Sequence, residues 1–214
     1  MGVVLDHLDQ FRHGIVITVE LTLLSYALAF LIGLVVAGFR VSPVGPLRAA
    51  GTAYVETVRN VPLAVHFVLF FFALPKIGII FSPFRSAVIV LAYYHGSFAT
   101  ETIRAGINTV SVGQAEAARS LGFTFPGTLI RVVLPQAVRS VVAPLGSLFI
   151  ALTKNTSVAF LISVTELTGT ADKLATDTAR PIPAFLGAAA GYLLLTLFAS
   201  LVLGALERRV AVKR

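Results

Sequence analysis

Long apolar runs separated by short polar interruptions make up this chain. From Gly14 to Phe39 the only charged side chain is Glu20, and a helix of that length, rising 1.5 Å per residue, crosses a hydrocarbon core of ~30 Å. Further runs extend from about Thr52 to Leu74, with Pro62 inside and Pro75 at the end, and from about Phe84 to Ile107. Another begins near Leu129, carries Pro135 and Pro144, and loses its apolar character at Thr153; the last spans about Pro183 to Leu206. The pattern predicts an all-α integral membrane protein of about five transmembrane helices. Ahead of the first run, Asp6, His7, Asp9, Arg12 and His13 are mixed in sign and lack the Lys-rich leader of a cleavable signal, so that run is expected to be retained.

One polar interruption has its own internal order. Ser111 and Gln114 have capping-box spacing, Ala-rich helix-favouring residues follow, and Gly122 stands where a helix stops. A short capped helix is predicted there. In a membrane protein such an element needs a surface to press against, which points to another protein.

Composition agrees with the membrane reading. The chain is 57% hydrophobic and 13% charged, with a mean hydropathy of +0.89, leaving too little polar surface to cover a soluble domain. It has no Cys, which excludes disulfides and thiolate metal sites. The net charge of +7 would suggest nucleic acid in a soluble protein. Here the cations flank apolar runs and are better explained by topology than by nucleic-acid binding. With the N-terminus outside, the inner side receives Arg40, Arg48, Arg104, Arg119, Arg131, Arg139, Arg208, Arg209, Lys213 and Arg214. The outer side receives Arg12, Lys76, Arg85, Lys154, Lys173 and Arg180, and Arg59 stays within a crossing. The excess of inner cations places the C-terminus and the capped helix in the cytoplasm. The expected organisation is an external segment 1–13, a membrane domain 14–208 with a cytoplasmic loop at about 108–130, and a tail 209–214.

Ionisable groups at a helix centre cost roughly 2.5–3.5 kcal/mol each on insertion scales, so those within crossings warrant a role. Glu56 and Arg59, and likewise Glu101 and Arg104, share an i,i+3 spacing on two crossings. Each pair either neutralises itself locally or belongs to a buried network that changes partners during a conformational cycle. His66, His95, Ser97, Lys154, Asn155, Thr156 and Ser157 are the polar residues available to line a pathway. Each His also fits a satisfied bond between helices, and Lys154 also fits snorkelling to headgroups. Pro62, Pro135 and Pro144 mark places for movement or static kinks. Gly187 and Gly191, one turn apart, suit close packing within the chain or between subunits.

The loop then becomes recognisable. Glu116-Ala117-Ala118, Gly122, Val132 and Leu134-Pro135 fall at the spacing of the cytoplasmic signature of bacterial ABC-importer permeases, which this chain resembles. Tyr54-Val-Glu-Thr-Val-Arg59-Asn-Val-Pro62-Leu is similar to the second-crossing motif of the polar amino-acid branch, with Asn60 and Val61 replacing the usual Gly-Thr. Phe98-Ala-Thr-Glu101-Thr-Ile-Arg104, Ile150-Ala-Leu-Thr-Lys154-Asn-Thr156-Ser157 and Glu166-Leu extend the likeness over roughly Gly14 to Asp172. Among relatives of that branch the chain looks most like actinobacterial glutamate permeases.

The resemblance implies a permease subunit of an ATP-driven importer for a polar amino acid, with glutamate the first expectation. It implies a second permease subunit, an external substrate-binding protein, and a cytoplasmic ATPase that grips the loop helix at Gln114, Ala115, Glu116, Ala117, Ala118, Arg119, Leu121 and Gly122. Ala115, Ala118 and Leu121 share a face that would fit a tight groove. Lipid is a further partner, and nucleic acid is not. No cofactor is expected on this chain: it lacks a Gly-x4-Gly-Lys-Ser/Thr loop, so ATP and Mg belong to the ATPase. For glutamate, Lys154 or Arg59 is the expected counter-charge. Two alternatives stand beside this reading. An intramembrane enzyme using His95 and Glu101 would need them on one face, and six residues apart they point differently. An ion-driven secondary transporter would be expected to show related halves or broken helices.

Overall fold

In the computed structural model residues 2–210 are described, and every regular element among them is helical. Short helix α1 (Gly2–Asp6) leads into α2 (Leu8–Val41). The start of α2 precedes the apolar edge at Gly14 because Phe11 is buried against Leu167, Ala184 and Ala188, which anchors the first turns. The expected single second crossing is instead two helices. Helix α3 (Gly45–Arg59) gives way to α4 (Leu63–Ala73), which a 3-10 turn (Leu74–Ile77) continues, and the two arms are bent by 99°. Pro62 lacks an N–H and disfavours helical geometry at Val61. Asn60 closes α3 by donating its side-chain amide to the Glu56 carbonyl at 2.7 Å.

The long α5 (Pro83–Asn108) follows, then α6 (Val112–Ser120), α7 (Phe125–Thr128), a π turn (Leu129–Val133) and α8 (Leu134–Asn155). Pro135 is the second residue of α8, directly after the π turn, and Pro144 lies inside the helix. A 3-10 helix (Thr156–Ile162), α9 (Leu167–Thr178) and α10 (Pro181–Val210) complete the chain. Helix α10 takes in Arg209 and Val210; residues 211–214 of the expected tail, including Lys213 and Arg214, lie outside the described residues.

Three helical stretches are long and apolar enough to cross a membrane, Leu8–Val41, Ile130–Ile162 and Pro181–Arg209, and the bent α3–α4 pair makes a fourth. Helix α5, at 26 residues, is long enough for a fifth crossing and more polar. It is flanked by α2, α3, α4 and α8, and that screening lets it carry His95, Glu101 and Arg104. Its main partner is α2, and small residues set their separation: Ala29, Gly33 and Ala37 of α2 are buried, as are Gly96, Ala99 and Thr100 of α5. A Cβ on Gly33 would lie 2.6 Å from the Ala99 Cβ and 3.1 Å from the Ala99 carbonyl carbon. Lipid tails are as apolar as the helices, so van der Waals fit holds such a seam together.

Gly187 and Gly191 pack within the chain. A Cβ on Gly187 would meet the Phe11 ring at 2.7 Å, and one on Gly191 would meet Leu167 at 3.0 Å. The subunit-interface reading of this pair therefore does not hold.

Gly33→Val should force α2 from α5 and destabilise the detergent-solubilised protein by ~1–3 kcal/mol, the usual cost of overpacking. Gly45→Ala, where no atom lies within 4 Å of the added Cβ, should leave the unfolding temperature almost unchanged. Thermal unfolding of the two variants side by side checks this.

Candidate functional site

Two polar features stand out: the α6 loop and a cluster where the α3–α4 bend meets α5. In the loop, Ser111 is the N-cap residue of α6, with extended backbone, yet its hydroxyl makes no capping bond. The Gln114 N–H goes to the Ser111 carbonyl at 3.1 Å instead, so the expected capping box places the helix start without forming its side-chain bonds. The other end is closed as expected. Gly122 is left-handed at φ 87°, its N–H reaches the Arg119 carbonyl at 2.9 Å, and the Phe123 N–H reaches the Ala118 carbonyl at 3.2 Å. That paired arrangement is a Schellman motif.

The faces of α6 differ from the sequence expectation. Ala118 is buried and Ala115 half-buried, turned toward α7 and the π turn of the same chain. Leu121, expected to share their face, is 80% exposed because it sits past the last helical turn, where the Schellman closure redirects the backbone. Val112, Gln114, Glu116, Ala117 and Arg119 are exposed as well. The outward surface is therefore two aliphatic ends flanking a polar middle, and the alanines serve to seat the helix on its own protein.

At the end of the bundle shared by α6, Glu101 is held by two arginines. Arg104 donates Nε–H to Oε1 at 3.2 Å and Nη2–H to Oε2 at 2.7 Å. Arg40 Nη1 lies 3.2 Å from Oε1, off hydrogen-bond alignment. Arg40 reaches Glu101 from α2 by laying its aliphatic stem over Gly51 of α3, whose Cβ would stand 3.2 Å from that stem. The expected Glu101–Arg104 pair is thus present, with a third member the sequence reading missed. The Glu56–Arg59 pair is absent. Both residues are exposed, and the Arg59 guanidinium carbon lies 4.9 Å from the centroid of the Phe98 ring. Arg59 ends α3, so its side chain stacks on α5 in a cation–π contact instead of folding back along its own helix.

From Phe98 an aromatic ladder climbs α5. Its ring centroid is 5.2 Å from that of Tyr94, which lies 5.3 Å from His95 and 5.6 Å from His66 of α4. His66 also faces Tyr93 and helps line a cavity of about 350 Å³ with Leu69, Phe70 and Ile89. Its Nδ1 bonds the Pro62 carbonyl at 3.1 Å, on the bend itself. His95 is buried between the Leu91 carbonyl, 3.0 Å from Nδ1, and the Asn155 amide, 3.1 Å from Nε2. A carbonyl only accepts, so Nδ1 carries the proton and Nε2 accepts from Asn155.

The ladder thereby joins Arg59, His66, His95 and Asn155, with Lys154 next to Asn155 in the chain. Lys154 is exposed and takes part in no ion pair among the described residues. Ser157 is half-buried beside them. Ser97 and Thr156 do not fit a pathway: both are fully buried and bond their own backbone, at Tyr94 and Thr153.

Sequence reading gave no role to Glu166. It is fully buried and caps α9, accepting from the backbone N–H of Thr168 at 3.0 Å and of Gly169 at 2.8 Å, and from the Tyr192 hydroxyl of α10. Burial raises its carboxyl above the usual range despite these bonds. Thr18 of α2 accepts the Leu167 N–H at 3.2 Å. The stretch from Thr153 to Pro181 thus holds the end of α8, the 3-10 helix and the capped α9, and α9 is tied to α2 and α10. An acid three residues before a Gly was the available signal.

Asn155→Leu should strand the buried Nε2 of His95 and cost ~1–3 kcal/mol, whereas His95→Phe combined with it should recover part of that loss. Unfolding in detergent measures both.

Residues 29–212 match the family model described as binding-protein-dependent transport system inner membrane component. The chain is 35% identical to a probable glutamine ABC transporter permease of Bacillus subtilis, over 98% of this chain and 97% of that protein. It is 40% identical to a glutamate transport system permease of Corynebacterium glutamicum, over 92% of each. A crystal structure of an amino acid ABC transporter with histidines has a similar chain, with a TM-score of 0.91, 33% identity and 96% coverage of both.

Proposed function

We propose a specific role for this chain, which belongs to the family of binding-protein-dependent transport inner membrane components and is a multi-pass permease subunit of an amino-acid ABC importer. The substrate is glutamate, and a separate ATPase drives its passage through the surface of α6. The α6 end of the bundle faces the cytoplasm, a second permease subunit completes the pathway, and an external binding protein delivers the amino acid. The observation that carries this reading is the bend at Pro62. It lays Arg59 and His66 against the Phe98–Tyr94–His95 line of α5, which Asn155 joins from α8 with Lys154 adjacent in sequence, and no carboxylate pairs with Arg59 or Lys154 among the described residues.

An acidic amino acid brings two carboxylates and one ammonium. Two cations without a carboxylate partner among the described residues match the carboxylates, since charge-assisted hydrogen bonds are about twice as strong as neutral ones. The α4 N-terminus at the bend adds a positive dipole end, as half-helices do in other transporters. On the driving side, Glu116 and Arg119 supply polar contacts on α6 while Val112 and Leu121 supply apolar ones. The broken crossing is a feature that ion-driven transporters also show, but the family and the exposed α6 favour the ATP-driven class.

Uptake in vesicles containing the reconstituted importer tests each part. Lys154→Ala should raise the KM for glutamate by about tenfold, the equivalent of ~1.4 kcal/mol, and change glutamine uptake much less. Glutamate uptake unaltered in both Lys154→Ala and Arg59→Ala would remove the assignment. Glu116→Lys should lower ATPase stimulation by about tenfold while the membrane subunit remains folded. Uptake driven by an ion gradient without the ATPase would overturn the coupling itself.

A further inference from the structure

A groove of about 380 Å³ opens between α2, α8 and α10, lined by Val19, Leu23, Phe149, Leu195, Val202 and Leu203 among others. The two hydroxyls in its wall are committed: Thr22 donates to the Thr18 carbonyl at 2.7 Å and Thr153 to the Phe149 carbonyl at 2.9 Å. The groove therefore suits hydrocarbon and gives a polar ligand nothing to bond. Ala199 is the one Gly, Ala or Ser lining it. Helices that meet inside a bilayer do so on small residues, as α2 and α5 do at Gly33 and Ala99. Bulky walls favour a lipid chain over another helix.

One end of the groove leads to cations. Leu195 is the midpoint of the apolar stretch Pro181–Arg209, and from it the groove runs about 12 Å along α10 to Leu203 at 1.5 Å per residue. Arg209 lies ~9 Å further on, past the ~15 Å half-thickness of a hydrocarbon core and at headgroup depth. Helix α8 runs the opposite way and meets α10 at the same level: a Cβ on Gly146 would stand 3.6 Å from the Leu203 Cβ. Arg139 is about 10 Å from that contact toward the same end, so the two arginines share one depth on neighbouring helices. A spacing of seven residues is close to two full turns. Arg139 thus keeps to the side of Gly146 and Thr153, and Arg209 to the side of Leu195 and Val202. Glu207, the nearby acid, is turned ~140° round α10 from that line. Both arginines are exposed, and no ion pair among the described residues includes either.

We propose that the groove holds an acyl chain of an anionic phospholipid from the leaflet at the α6 end, with Arg139 and Arg209 bonding its phosphate. Guanidinium groups grip phosphate through paired N–H donors, and basic residues between helices at this depth recognise anionic headgroups. The chain occupies the space that the three helices leave open. It also joins α10, the least buried of the three long apolar stretches, to α2 and α8. None of these residues belongs to the ring line at the Pro62 bend, so the lipid site is separate from the one assigned to the amino acid.

The test uses the assembled importer in phosphatidylcholine nanodiscs. A small share of lipid carries a photoactivatable diazirine on its acyl chain, with either a phosphatidylglycerol or a phosphatidylcholine headgroup. After irradiation the permease is digested and sequenced. The phosphatidylglycerol probe is expected to label Phe149, Leu195 and Val202 severalfold more strongly than the phosphatidylcholine probe does. Leu193 and Leu197, exposed on the other side of α10, should be labelled alike by both. Arg139→Gln combined with Arg209→Gln should bring the two probes level in the groove; both positions are exposed, so the fold is kept. Equal labelling of the groove by the two probes in the unaltered protein would overturn the proposal, as would adducts spread evenly round α10. A groove that neither probe reaches would mean that protein covers it, and would overturn the proposal too.

Discussion

The close seam between α2 and α5 is the constraint on which the other features rest. Inside a bilayer no water competes for polar groups, and helices gain little from excluding each other's apolar surface. Stability must come from near contact, which small side chains allow. Gly33 against Ala99 and Gly96 against Ile32 bring two long helices side by side. Among the polar members of the buried faces, Thr18, Thr22 and Thr100 each return their hydroxyl to a carbonyl of their own helix, at 2.9, 2.7 and 2.8 Å, whereas the buried Ser25 hydroxyl has no partner. Shielded this way, α5 holds a histidine, a glutamate and an arginine in a place where an isolated helix would not insert them cheaply.

The bend at Pro62 gains its meaning from that shielded helix. A straight second crossing would place Arg59 on lipid. The 99° turn instead lays Arg59 over Phe98 and sets His66 among Tyr93 and Tyr94. One backbone break therefore brings groups of α3 and α4 onto a line of rings on α5, whose His95 also bonds Asn155 of α8. These groups are held by cation–π and ring–ring contacts and by no carboxylate pair among the described residues. At the other end of α5, the bidentate Arg104–Glu101 pair, joined by Arg40 through the opening at Gly51, is the rigid counterpart.

Glu166 secures the third side. A buried carboxylate that caps α9 and accepts from Tyr192 fixes the connection between the 3-10 helix and α10. Asn155 lies just before that connection, so the anchored stretch also steadies the residue that bonds His95. The ladder is thus supported from α9 and α10 without touching them.

Local physics was legible in the residues. Apolar run length gave the helical membrane class, Gly122 gave the end of α6, and the spacing of Glu101 and Arg104 gave their pair, because each depends on neighbours within a turn or so of the chain. Family spacing around Glu116 and Leu134-Pro135 gave the functional class. The same i,i+3 spacing misled at Glu56 and Arg59, since whether a side chain folds back or reaches outward depends on what stands across from it, and Phe98 was not visible from there. Nor did periodicity reveal that Ala118 faces inward, that Arg40 passes over Gly51 of α3 to reach Glu101, or that Glu166 meets Tyr192. Those contacts join residues far apart in the chain, and only the packing of helices in three dimensions selects among the many partners each side chain has the reach to meet.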